Sequence, residues 1–193
     1  MQNAHQNAET AVEFEALLSV IEAAPAPRLA AAALSQVRNG VITGEGPTTT
    51  GRIHFSRTID AGDTALITRI LNAGSDAVSR AEAEALFEIH EAAHERADHG
   101  RFDDLFAKAI AHHVMAAAGL PVPPRAVALA ATTPLADWAT PDQFVGGEVA
   151  AWLETRMRRK GRPCTPLAAL AAMIGFAATF LTPSVAAAID FAA

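Results

Sequence analysis

Apolar residues recur at helical spacing through most of the chain. Phe14, Leu17, Leu18 and Ile21 stand at i, i+3, i+4 and i+7 behind a Thr10–Glu13 capping-box pattern. They predict a first helix running to about Ala24, where Pro25 and Pro27 break it. An alanine-rich second helix carries Leu29, Leu34 and Val37 inward and is expected to stop at Asn39-Gly40, a glycine stop signal. Thr43 to Arg52 (TGEGPTTTGR) lacks periodicity and reads as a flexible loop. The clearest helix is expected over 79–97, entered through a Ser79–Glu82 capping box. Ala83, Leu86, Ile89, Ala93 and Ala97 form its apolar stripe, with His90 and His94 at the edge beside Phe87. Glu84, Glu88, Glu91 and Glu95 point the other way and read as a solvated acidic face. After a turn at 98–102, Asp103 or Asp104 starts a helix ending at Gly119. Its stripe is Leu105, Phe106, Ala109, Ile110, His113 and Ala117, with His112 at the rim near Lys108. So short a turn predicts that 79–97 and 103–118 pack antiparallel.

The pattern weakens towards the C-terminus. Leu120 to Arg125 (LPVPPR) reads as a stiff extended connector, followed by short elements around Trp138 and Gln143. Val149, Trp152, Leu153, Arg156 and Met157 make a further amphipathic helix, with Trp152 as a core anchor. Leu167 to Leu181 is apolar throughout, but its 15 residues fall short of the ~20 needed to cross a bilayer, so a buried core helix is favoured over a membrane anchor.

One segment is repeated. Ile59-Asp60-Ala61-Gly62-Asp63, followed by Leu66, Ile67 and Ile70, lines up with Val78-Ser79-Arg80-Ala81-Glu82, followed by Ala85, Leu86 and Ile89. Each copy has a β-branched residue, an N-cap, an acid three positions later and then a helix. Paired helix-loop-helix units such as EF-hands are built this way, with the two β-branched residues pairing across the loops. As a calcium loop, however, the segment ending at Glu82 has Leu71 in first place and Asp76 where the turn glycine belongs, so it is a degenerate one.

Composition agrees with the helical pattern. Of 193 residues 51% are apolar, with alanine dominant, few aromatics and no tyrosine, which suits closely packed helices better than a sheet core. The expected fold is all-α: residues 1–9 a disordered N-terminus, and 10–193 a single domain of about eight helices built round the antiparallel pair. A net charge of −6 argues against a nucleic-acid partner, and the basic run from Arg156 to Arg162 reads as the cationic end of a helix. Cys164, alone and between two prolines, forms no internal disulfide and reads as inert. The first residues lack the basic start and apolar run of a signal peptide, so the expected location is the cytoplasm, with an unidentified protein the expected partner and a membrane disfavoured.

Candidate chemistry is confined to His90-Glu91-Ala92-Ala93-His94, a match to H-E-x-x-H. On a helix, two histidines four apart lie one turn apart on one face, as a shared zinc ion requires, and Glu91 is then the candidate catalytic base for a metal-bound water. At ~1.5 Å per residue along an antiparallel pair, His113 stands level with His90 and is the candidate third ligand. The competing reading makes all three core or core-edge histidines, and it is the stronger one, because Glu91 falls with the outward acids rather than over a cavity shared with the histidines. No cofactor other than zinc is implied. The glycines of 43–52 lack the Lys-Ser/Thr of a phosphate-binding loop.

Three stretches, AVSRAEAEALFEI, FDDLFAKAIAHHVMAAAG with the following PPR, and EVAAWLETRM, together resemble an uncharacterised group of mainly proteobacterial helical proteins over roughly residues 14–160. More loosely, the S-x-x-E helix start after a short acidic loop is similar to TerB-like domains of tellurite-resistance proteins, with Asn72-Ala73-Gly74-Ser75-Asp76 in place of their A-D-G loop. This resemblance implies an all-helical, non-enzymatic accessory protein associated with metal or stress responses.

Overall fold

A computed structural model describes residues 15–20, 23, 27–43, 58–74, 77–93, 95–96, 100–132 and 147–158. Among them the protein is all-α, apart from one pair of two-residue strands. The helices are α1 (15–20), α2 (Pro27–Thr43), α3 (Ala61–Asn72), α4 (Arg80–Ala92), α5 (Arg101–Ala117), α6 (Arg125–Ala130) and α7 (Gly147–Arg158). The strands are β1 (Thr58–Ile59) and β2 (Glu95–Arg96). The chain divides into two compact units, Met1–Phe102 and Asp103–Ala193, so that α4 belongs to the first and nearly all of α5 to the second. The short elements expected around Trp138, the apolar run 167–181 and Cys164 lie outside the described residues. No described helix is long and apolar enough to cross a membrane.

The repeat gives the first unit its order. Asp60 accepts hydrogen bonds from the Gly62 and Asp63 amides at 2.7 and 2.9 Å, and Asp63 accepts one from the Asp60 amide at 3.0 Å. Nineteen positions later, Ser79 Oγ accepts from the Glu82 amide at 3.3 Å and Glu82 accepts from the Ser79 amide at 2.7 Å. Both copies thus start with a reciprocal capping box, which satisfies amides that helix geometry leaves over. The acids of the boxes, Asp63 and Glu82, are buried, as are Ile59 and Val78 just before them. Ile67 and Leu86, and Ile70 and Ile89, fill matching positions in the core with no exposed surface. The β-branched residues do not pair across the loops as expected. Ile59 pairs instead with Arg96, and Thr58 with Glu95, in parallel.

Helix α2 makes the most extensive helix contact of the first unit, and makes it with α4. Its inward row is Ala30, Ala33, Leu34, Val37 and Val41, all with no exposed surface. The stop expected at Asn39-Gly40 is overridden, and α2 continues to Thr43. A glycine inside a helix costs about 0.5–1 kcal/mol. Burying a valine side chain contributes about 1.5–3 kcal/mol, so seating Val41 outweighs it. Arg38 Nη1 donates to Glu88 Oε2 at 2.8 Å, tying α2 to α4, and Arg80 lies 3.6 Å from Glu84. The expected solvated face of α4 is therefore half-buried and ion-paired at these two acids.

In the second unit α5 is buried on every side from Leu105 to Met115, except at the half-buried Lys108, which marks it as an interior helix rather than a one-faced one. It starts at Arg101, directly after Gly100 (φ +80°), two residues earlier than expected. Its end is the expected one. Gly119 (φ +75°) donates to Ala116 O at 3.0 Å and Leu120 to Met115 O at 2.9 Å, the bond pair of a Schellman motif. Ala117, expected on the inward stripe, is exposed. Residues 120–124 belong to neither helix nor strand, and α6, absent from the sequence reading, begins directly after Pro124.

Candidate functional site

The H-E-x-x-H segment straddles the end of α4. The helix stops at Ala92, and Ala93 is extended (φ −70°, ψ 119°) after a last helical bond from its amide to Ile89 O at 3.0 Å. Two residues on, Glu95–Arg96 is strand. The expected helix over 79–97 is thus shorter by a turn. His94 lies outside the described residues, but the helix that would set it one turn above His90 is not continuous through Ala93. The cause is non-local, because residues 95–96 pair with the strand that leads into the Asp60 cap.

Of the remaining candidates, His90 is half-buried in the last turn of α4, with its ring stacked on Phe102 at 6.2 Å and 22°. A histidine there also complements the negative end of the helix dipole when protonated. Glu91 is half-buried beside it. His113 belongs to the second unit, is 6% exposed and meets Trp152 of α7 edge-on at 5.1 Å and 85°. Trp152 is buried, as a core anchor should be. Among the described residues no group of three or more His, Cys, Asp or Glu side chains stands close enough together to hold a metal ion.

His112 departs from expectation. Expected at the rim of α5, it is 1% exposed, because the chain after Gly119 brings the Pro123 carbonyl to it. A carbonyl only accepts, so His112 Nε2 carries the proton and donates at 2.9 Å. That nitrogen is committed to holding the connector. Sequence reasoning also missed Arg125, which is 3% exposed at the first position of α6. A charged head group so close behind three prolines gives no periodic signal of burial.

One concave feature lies on the outer face of α3. Ala65, Thr68, Arg69, Asn72 and Ala73, at i, i+3, i+4, i+7 and i+8, line an open depression of about 570 Å³. Arg69 stands 3.8 Å from Glu15 of α1, and both side chains are well exposed. Its shape suits a protein surface better than the enclosed, mostly apolar pocket of a small-molecule site. Compared with protein-family models, with curated proteins and with solved structures, the chain finds no match.

Proposed function

We propose that this chain is a non-enzymatic helical accessory or binding protein of the TerB-like kind, set in the cytoplasm, that works through a helical surface and holds a divalent metal only weakly. The observation that supports it most is the end of α4 at Ala92. A zinc hydrolase needs both histidines and the glutamate presented by one rigid helical turn, since catalysis depends on groups fixed before the substrate arrives. Here Glu91 and His90 sit on the last turn, and the chain leaves the helix before His94. The histidines of α5 carry packing roles, one against Pro123 O and the other against Trp152. The open depression on the exposed face of α3 supports a role exercised through the helical surface.

The test is metal content by inductively coupled plasma mass spectrometry on untagged protein, beside a His94→Ala variant and a peptidase assay with Glu91→Gln as control. The proposal expects far less than stoichiometric zinc and no hydrolysis that either variant removes. Stoichiometric zinc lost in His94→Ala, with hydrolysis lost in Glu91→Gln, would replace it by a zinc-dependent hydrolase in which His90, His94 and His113 hold the ion.

A further inference from the structure

Residues 120–124, LPVPP, have little conformational freedom. Proline fixes φ near about −65° at three of the five positions. Leu120, Val122 and Pro123 each precede a proline, which drives them out of the helical region towards ψ of about +120 to +160°. Pro124 has φ −50° and ψ 141°. These are angles of the polyproline II kind, a helix of about three residues per turn without internal hydrogen bonds. Burial follows that period. Pro121 and Pro124, three apart, are exposed, whereas Pro123 is buried and Leu120 and Val122 are half-buried. The stretch thus has an inner edge set into the second unit and an outer edge of two proline rings.

It is also held at both ends. The Leu120 amide donates to Met115 O at 2.9 Å, His112 Nε2 donates to Pro123 O at 2.9 Å, and the Ala128 amide donates to Pro124 O at 3.0 Å. Among the described residues nothing donates to the carbonyls of Leu120, Pro121 and Val122. The surroundings carry no exposed charge, because Arg125 is the one charged residue in 116–132 and is 3% exposed. Val127, three residues after Pro124, is 50% exposed and extends the apolar surface onto α6.

We propose that residues 120–124 are a preformed polyproline II ridge that docks into an aromatic-lined groove of a partner protein. Tryptophan or tyrosine rings would lie flat on Pro121 and Pro124, and their N–H or O–H groups would donate to the open carbonyls of the ridge. Flat rings match proline rings in shape, and indole and phenol groups are apolar bodies with one donor, which is what an uncharged ridge with unused acceptors can receive. A charged groove finds no counter-ion here, since Arg125 is turned inward. Because His112 and the two flanking helices already fix the ridge, binding orders little further chain, which favours affinity from a small contact. The ridge belongs to the second unit, whereas the depression on α3 belongs to the first, and its docking requires no metal.

The experiment immobilises the full chain and measures, by surface plasmon resonance, binding of three probes with aromatic-lined proline-binding grooves, a WW domain, an SH3 domain and an EVH1 domain. Expected is binding by at least one probe, weakened about tenfold or more in Pro121→Ala and in Pro124→Ala, as for a side chain that anchors an interface. Asn72→Ala, on the α3 face, should leave it unchanged. Circular dichroism checks the fold of each variant; Pro124 caps α6, so if its variant unfolds, Pro121→Ala decides. No binding by any probe, or binding that Pro121→Ala leaves unchanged, would overturn the ridge as a docking site. Sedimentation showing a dimer that Pro121→Ala dissociates would give the ridge to a second copy and overturn the aromatic partner.

Discussion

Helices α3 and α4 begin alike and end differently. Both start after a buried β-branched residue, through a reciprocal capping box whose acid is buried. At the other end, Ala73 after α3 stays right-handed helical (φ −74°, ψ −12°), and its amide bonds to the Arg69 carbonyl. Ala93 after α4 turns extended and leads into a strand. The beginnings are settled by residues three apart, whereas the end of α4 is settled by pairing with a segment before α3. Local chemistry reproduces itself wherever the sequence is repeated; long-range pairing does not, and that asymmetry separates a structural helix from one that carries a candidate site.

The likeness of the two copies is tested most strongly in the core. Ile67→Ala and Leu86→Ala remove equivalent side chains with no exposed surface, and each should destabilise by about 2–5 kcal/mol in chemical denaturation. Near-equal losses are expected if the two copies pack alike, and a loss below that range at either position would show that its copy is not a true core element. A third helix end then serves as reference. Gly119→Ala at φ +75° meets nothing within 4 Å, so its cost should be conformational alone, about 1–2 kcal/mol, read as a lowered melting temperature. The two caps come next. Asp60 accepts from two amides and Ser79 from one at the longer distance of 3.3 Å, so within the ~0.5–2 kcal/mol range for cap removal Asp60→Ala should exceed Ser79→Ala. The smallest effect is expected at Arg38–Glu88, where both side chains are about 30% exposed. A double-mutant cycle there should give less than about 1 kcal/mol of coupling, and less still in high salt.

The parts of the fold legible in the sequence are those fixed by near neighbours. Asp60 with Asp63, Ser79 with Glu82, and Gly119 as a helix stop each depend on groups within a few residues, and each was readable. The matching core positions of the repeat follow from helical period alone. What escaped depends on distant residues. Val41 carries α2 past Gly40 because a place in the core exists for it, and Glu88 leaves the solvated face because Arg38, fifty positions away, meets it. His112 is buried because a proline connector returns over it. The candidate site was the least legible part for the same reason. H-E-x-x-H has the right letters at the right spacing, but its meaning depends on whether α4 continues, and Thr58 and Ile59 decide that from outside the motif.

The bridge between β1 and β2 also bears on the order in which the first unit assembles. It closes a loop that contains both capped helices, so its two strands meet only after a large entropy of closure is overcome, whereas each capping box forms within a single turn. On folding, α3 and α4 should therefore appear early, and the pairing of Thr58–Ile59 with Glu95–Arg96 last.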